Sequence, residues 1–423
     1  MLYIEKERTI PVNSDYDVIV VGSGPSGIGA AVSAGMHGAK TLLIESQGSV
    51  GGISTSGLMS HFTGHVQSNL YQELLRRAAL HNTFKRGLKT VTIDPEMLRI
   101  TYYEILKLAN VDLLLYTLVC DTITEGNRVK GVICESKSGR QAYFAKVIID
   151  CTGDGDVAYK AGAEFYLGRE EDGRMQPATL MFKVGGVDYE RAIFPPSFET
   201  TVEVPSGEIQ ELGKKHLPFP AGHVLLYGST LPGVVTVNMT NATGIDGTKA
   251  EDLTKAELIC RSQMEPIVEF LRKYAPGYEK CYILSAASLI GIRETRHFKG
   301  VKTLHSRSIA EAEKFDDWVV RDAHFNFDIH NLDGFGLDPR GCQHHFHQLD
   351  GYTIPYGCLV PEMLDGLLLS GRNISGTHKA HSSFRAMPIC LAIGEACGVA
   401  AAIAVRKGIE LRSVEPKEIQ KYL

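Results

Sequence analysis

The chain has 423 residues and a formal net charge of −5, with 44% apolar and 22% charged residues. It is too long for a single hydrophobic core and too ordinary in composition for a disordered chain, so two domains, or one with a large insertion, are expected. The weak acidic balance argues against nucleic acid as a partner. No apolar run of membrane-spanning length is free of charge, because the stretch from Ala386 to Val405 is broken by Glu395. Membrane insertion is therefore not expected. The N-terminus, MLYIEKERTIPVNSDYD, lacks the apolar core of a signal peptide. The nine cysteines are scattered without a CxxC pair, which favours reduced thiols and a cytoplasmic setting.

The first elements carry a nucleotide-binding pattern. Val18 to Val21 reads as a buried parallel strand. Gly22-Ser23-Gly24-Pro25-Ser26-Gly27 follows and opens a small-residue helix to about His37. Gly22 allows the tight turn, Gly24 lets the backbone approach a pyrophosphate, and Gly27 lets the helix pack closely on the strand. The pyrophosphate would sit on the helix N-terminus, whose free N–H groups favour anions. TLLIE is then a second strand. It ends in Glu45, spaced to bond a ribose hydroxyl, with Ser46 beside it. A βαβ unit without ligand is the plainer alternative.

After Glu45 comes SQGSVGGISTSG, with a second glycine pair at Gly51 and Gly52 and Thr55 just beyond. This pair resembles the second phosphate-side signature of FAD proteins of the glutathione-reductase fold. VIIDCTGDGDVAYKAGAEFYLG, from Val147 to Gly168, resembles the strand ending in D-x-T-G-D of the same proteins. LLLSGRNISGTHKAHSSFRAMPICLAIGEACGVAAAIAV, from Leu367 to Val405, resembles their closing flavin motif. Taken together these segments are similar to the bacterial FAD-dependent oxidoreductase family, distant relatives of the flavoprotein subunits of fumarate reductase and succinate dehydrogenase. The resemblance covers nearly the whole chain. It implies an α/β fold: a Rossmann-like FAD-binding domain of glutathione-reductase type with an inserted α+β substrate or cap domain. It also implies non-covalent FAD, held by the first two motifs and by Thr152, Gly153, Asp154, Gly371, Arg372, Gly394 and Ala396. Val119 falls where such proteins clamp adenine with backbone groups.

Between the motifs, NLYQELLRRAAL and PEMLRITYYEILKLA show one-faced apolar periodicity and read as helices. VDLLLYT, VKGVICES and AYFAKVIID read as strands of a meander leading to Asp150. From about Ala161 to Leu289 strands such as ATLMFKVGGVD and GVVTVNMT surround one long amphipathic helix. This gives an FAD domain over 1–160 and 290–423, with a substrate domain over 161–289. There is no second GxGxxG, so no separate nicotinamide domain is expected, and the electron partner is the substrate or something external.

The last third is dense in rings and cations. Arg293, Arg296 and His297 lie in GIRETRHF; His324 and His330 lie in DAHFNFDIHNLDG; His378, His381 and Arg385 lie in THKAHSSFR. Histidine suits proton movement accompanying hydride transfer, and arginine suits a two-pronged grip on a carboxylate or enolate-like oxygen. The candidate catalytic residues are His378, Arg385, Arg293, His324 and His330. Arg296 reads better as a salt-bridge residue, and His61 lacks the surroundings of a flavin-linking histidine. His344, His345 and His347 form either a metal site or a solvated rim; lacking a ligand partner at the right spacing, they support no metal assignment. The expected activity is hydride transfer between flavin and a small organic substrate at a C–C, C–O or C–N bond. The rivals are a flavin monooxygenase or halogenase, and a flavin-binding electron carrier without turnover.

Overall fold

The computed structural model describes residues 3, 6–59, 61–78, 91–195, 200–338, 348 and 350–423. Its centre is a parallel sheet. Strand β1 (Val18–Val21) has no polar side chain and is buried along its length, as a strand covered on both faces must be. Helix α1 (Pro25–Met36) starts with proline in its first turn, where the missing N–H costs nothing. Strand β2 (Thr41–Ile44) then pairs with β1 residue for residue. The sheet is completed by β3 (Asp112–Leu114), β4 (Val147–Asp150) and β5 (Leu367–Leu369), in the spatial order β5-β4-β1-β2-β3. The closing motif thus returns from the far end of the chain to the strand that neighbours β1. VDLLLYT, read as part of the meander, instead supplies the sheet's edge strand. Its residues, exposed or half-buried, suit an edge better than the centre.

An antiparallel meander (Thr117–Glu125, Arg128–Ser136, Gly139–Phe144) lies between β3 and β4 in sequence. Helices Asn69–Ala78 and Pro95–Leu108 form where the periodicity places them; the second is capped by Asp94, whose side chain accepts from the Glu96 and Met97 N–H groups. The inserted region has its own antiparallel sheet, from Leu226–Gly228, Val235–Val237, Phe182–Gly185 and Tyr282–Ala286 in that spatial order. The helix Ala250–Tyr274 covers it, and together they form a hydrophobic cluster over residues 178–287, distinct from that of the parallel sheet.

The last long helix, α2 (Met387–Lys407), is long and apolar enough to cross a bilayer, but 94% of its apolar window is buried by protein. Its neighbour is α1, and the crossing is built from glycine on both sides. An added Cβ would stand 2.3 Å from the Leu391 carbonyl at Gly29, 1.9 Å from the Ser26 carbonyl at Gly394, and 2.4 Å from the Ala30 carbonyl at Gly398. Backbone meets backbone here. The one acid in α2, Glu395, accepts from the Ser68 hydroxyl at 2.6 Å, which makes its burial tolerable.

Candidate active site

Three strand ends meet at the carboxyl edge of the parallel sheet, where open α/β sheets bind ligands. Gly22 follows β1 with φ +91°, and a Cβ there would strike the Cys151 carbonyl at 2.6 Å, so glycine is required. Beyond β4, the Asp150 carboxyl accepts from the Thr152 N–H, the Thr152 hydroxyl and the Ala158 N–H, which folds the turn carrying Gly153 and Asp154. Burial pushes Asp150 up to about 6. Beyond β5, Gly371 at φ +92° lies against Ser26 of α1, and the Arg372 guanidinium donates to Asp154 Oδ1 at 2.8 Å. The Gly51–Gly52 turn closes over the same place: Gly51 N–H donates to the Ser23 carbonyl at 2.8 Å, and a Cβ on Gly52 would stand 3.1 Å from Gly24 Cα. All four sequence motifs therefore occupy one crevice.

Its geometry fits a dinucleotide. A Cβ on Gly24 would meet nothing within 4 Å, so open space faces the turn. α1 has no side-chain cap and no acid in its first turn, leaving its N–H groups and dipole directed at that space. α2 likewise begins without a side-chain cap or an acid. Glu45 is buried, and its carboxylate is heavily engaged. Oε2 accepts from Ser23 N–H at 2.8 Å and the Ser23 hydroxyl at 2.6 Å; Oε1 accepts from Ser46 at 3.1 Å and Gln47 N–H at 2.8 Å. It thus shapes the glycine turn.

Several expected contacts have structural duties. The Ser26 hydroxyl pairs with Ser370 at 2.5 Å, and Thr55 donates to the Val50 carbonyl at 2.6 Å. Val119 is a buried strand residue beside a bulge. Gly394 and Ala396 belong to packing: the first is pressed on α1, the second is fully buried. The reason is that small residues serve helix–helix contact as well as ligand approach, and their spacing alone does not separate the two.

The ring-and-cation segments divide into two neighbouring groups and one outlier. The first group is built on the short helix His378–Phe384, capped by the Thr377 side chain, which places His378 at its start and Arg385 just past its end. His378 Nδ1 lies 2.5 Å from Glu294 Oε1, and His297 Nε2 lies 2.8 Å from the same oxygen. Burial alone would push the Glu294 carboxyl up, but the hydrogen bonds from His297 and His378 hold it well below the usual carboxylate range. An ionised carboxylate only accepts, so both rings donate to it, and a neutral His378 keeps Nε2 as its acceptor. His378 also lines a cavity of about 270 Å³ with Arg169, Glu170, Ser306, Ile329 and Thr377. The three ligand-type atoms lie within 4.8 Å of one another. Spacings of 2.5 and 2.8 Å are nonetheless those of hydrogen bonds, whereas nitrogen and oxygen on one tetrahedral zinc would stand about 3.3 Å apart.

The second group joins Arg293, Asp328, His330 and Arg385. Arg385 donates from one terminal nitrogen to Asp328 Oδ2 and to the Asp328 carbonyl, both at 2.7 Å. His330 Nε2 lies 3.6 Å from Asp328 Oδ1, and the His330 backbone N–H donates to Gln176 Oε1 at 3.1 Å. Arg293 donates to the carbonyl of Pro177, which follows Gln176, at 2.5 Å. Burial pushes His330 down to about 4 and His223 to about 3, with nearby Arg293 adding to both shifts. Arg296 makes the salt bridge expected of it, to Asp156 at 2.9 Å.

His324 does not join either group. It lies on Trp318–His324, which pairs with His65–Gln67 and Tyr352–Pro355, and its ring contacts Asp322 at 3.0 Å while 37% exposed. It is close to His330 in sequence, but the strand carries the two apart. His61 is buried and stacked on Tyr227 with ring centroids 4.3 Å apart. His344, His345 and His347 lie outside the described residues. Sequence reasoning missed Glu294, Asp328 and His223. A glutamate three residues before His297, in a segment already dense in cations and rings, was a usable signal for the first; His223, in the inserted region, had none.

The model of a family described as FAD dependent oxidoreductase matches residues 17–423. Thiamine thiazole synthase from Methanococcus vannielii is 32% identical over 154 residues, covering 33% of this chain and 56% of that protein. The chain thus spans little more than half the length of such curated relatives. Among solved structures, a geranylgeranyl bacteriochlorophyll reductase-like protein from Thermoplasma acidophilum superimposes with a TM-score of 0.51 at 15% identity, covering 97% of this chain and 82% of that one. p-Nitrophenol 4-monooxygenase from Pseudomonas putida gives 0.48 at 11% identity, covering 97% and 84%. At 15% identity the likeness to the Thermoplasma acidophilum protein is one of fold.

Proposed function

This chain belongs to the FAD-dependent oxidoreductase family, and on that premise we propose that it holds FAD non-covalently and exchanges hydride with a small organic substrate at a C–C, C–O or C–N bond. The observation that carries the proposal is the His378–Glu294 pair at the edge of a cavity, with His378 at the start of the helix that follows the sheet's closing strand. Bound FAD supplies the two-electron acceptor or donor. The chain supplies the rest. The Gly22–Gly27 turn and the N-terminus of α1 receive the pyrophosphate, Glu45 the ribose, and the Thr152–Asp154 and Gly371–Arg372 turns the remainder. His378, its Nδ1 proton fixed by Glu294, moves a proton at Nε2 as hydride leaves or enters the substrate; this division of labour between a base and its orienting carboxylate is general. Arg293 and Arg385 hold and orient.

The kinship to fumarate reductase and succinate dehydrogenase flavoprotein subunits, a cytoplasmic setting and a separate electron partner belong to the same proposal. The first is supported by motif order and the second by eight free cysteines among the described residues. The test is anaerobic titration of the yellow protein with a metabolite panel. Bleaching of bound flavin by one compound class is expected. Stoichiometric FAD that no organic compound reduces, and whose reduced form no compound reoxidises, would leave an electron carrier instead.

A further inference from the structure

We propose that His65, Asp322, His324 and Asp350 form a binding site for one divalent cation of zinc type, a clip joining three segments of the chain. The site stands apart from the flavin reading. Two of the segments meet as strands. His65–Gln67 pairs antiparallel with Trp318–His324, and the register sets His324 directly opposite His65. Side chains of directly opposed residues share one face of a sheet. One extra residue is accommodated between the Arg321–Gln67 and His324–His65 pairs, and Asp322 lies in that bulge with φ +53°. A bulge re-aims the side chains it carries, and here the Asp322 carboxylate reaches both rings. Its Oδ1 lies 3.0 Å from His324 Nε2, and its Oδ2 lies 3.1 Å from His65 Nε2. The third segment passes close by. A Cβ on Gly351 would overlap Asp322 Oδ1 and stand 2.8 Å from His324 Nε2, so glycine is needed there. That approach brings Asp350 Oδ1 to 3.8 Å from His324 Nε2. Asp322, His324 and Asp350 each offer a donor atom within 4.8 Å of the others. His65 supplies a fourth from the facing strand.

The donor set and its spacing point to the ion. Two imidazole nitrogens with two carboxylates suit zinc and its transition-metal neighbours, whereas magnesium and calcium take oxygen almost throughout. The spacings of 3.0, 3.1 and 3.8 Å lie on either side of the ~3.3 Å expected between donors on one tetrahedral zinc. The Glu294 cluster, at 2.5 and 2.8 Å, falls short of it. A distance of 3.8 Å is also too long for a hydrogen bond, so bonding to His324 does not account for the place of Asp350. Lys314, 3.5 Å from the second oxygen of Asp350, is the only lysine or arginine paired with any of the four among the described residues. All four side chains are partly exposed, so an ion reaches them from solvent and small rotations close its shell. The segments so joined are far apart in the chain, and a metal that binds only where they meet stabilises that meeting.

The experiment uses the FAD-loaded protein without a purification tag, stripped with EDTA and dialysed free of chelator. Zinc, magnesium and calcium chlorides are titrated in by calorimetry, and the thermal midpoint is read with and without each. One zinc should bind per chain, about a hundredfold or more tighter than magnesium or calcium, and should raise the midpoint. H65Q, D322N and H324Q should each weaken zinc about tenfold or more and diminish that rise, with FAD still stoichiometric. H65Q alters a half-exposed ring, so its result stands even where a variant of the bulged strand fails to fold. E294Q and the triple variant H344Q/H345Q/H347Q should bind zinc as the wild type does. No saturable zinc binding, equal affinity for magnesium or calcium, or binding that survives H65Q, D322N and H324Q would each overturn the proposal. So would loss of zinc from E294Q or from the triple variant, which would move the ion to another cluster. Flavin reduction enters none of these outcomes, so the hydride reading stands or falls separately.

Discussion

At the scale of single residues, the site turns on carboxylates that act through other groups. Glu294 touches neither open space nor a surface; its side chain is fully buried. Its proposed effect on chemistry passes through His378, which makes it a positioning residue. E294Q should retain FAD but lower kcat for flavin reduction about 10–100-fold with little change in KM, as loss of an orienting partner commonly does. E294D should recover part of the rate. An unchanged kcat would show that the ring is oriented by something else. Glu45 presents the opposite case, a residue proposed to hold the cofactor whose four accepted bonds brace the Ser23 turn. E45Q replaces one acceptor by a donor and removes the charge. Bonds to charged groups contribute about 1.5–3 kcal/mol, so FAD affinity of the apoprotein should fall about tenfold to a hundredfold. Equal titration curves for wild type and variant would remove Glu45 from the ribose.

Elements whose signals are local are legible in the amino-acid sequence alone. The strand Val18–Val21, the glycine turn, α1 and the strand ending at Glu45 follow one another without interruption, and each announces itself by periodicity or turn chemistry. What distant segments do together is not legible there. The sheet of His65–Gln67, Trp318–His324 and Tyr352–Pro355 joins three parts of the chain with bulges in its register, and it draws His324 away from the histidines beside it in sequence. Nor does a stripe of small residues say what it approaches. In α2 it approaches α1, whose first turn carries the N–H groups proposed to receive the pyrophosphate, so the crossing and that proposed site are mechanically linked. G394A forces a methyl group into the Ser26 carbonyl. Such overpacking costs about 1–3 kcal/mol and must displace the first turn of α1. The urea midpoint should drop and FAD should be retained less well. G29A, on the facing helix, should act alike, and the double variant should fall short of additivity because both strain the same helix crossing. Two additive changes without effect on FAD would separate the crossing from the site.

On the scale of the whole molecule, the seam between the two hydrophobic clusters is held by polar groups that must keep particular charge states. Burial, the largest cause in each, pushes His61 down to about 4, His330 to about 4 and His223 to about 3, from an ordinary 6.5. Their folded state therefore binds fewer protons than the unfolded chain as the pH drops below 6.5. The stability they contribute is complete above that value and is lost as pH falls through 4, and through 3 for His223. Asp150 runs the other way. Raised to about 6 from 3.8, it favours the fold below 3.8 and loses that contribution as pH rises through 6. With His381, which burial also pushes down, four imidazoles outnumber the three carboxyls that burial raises, Asp150, Asp156 and Glu395, leaving a net uptake of about one to two protons on unfolding over pH 6 to 4. Each net proton corresponds to a slope of about 1.4 kcal/mol per pH unit. Unfolding free energy, measured in urea at successive pH values, should therefore be nearly level above 7 and fall steeply from about 6 to 4. H330Q should reduce that slope by up to one proton, because the replacement cannot titrate. A level profile down to pH 4 would mean that these rings are charged within the fold, and that the seam has anions enough to accept them.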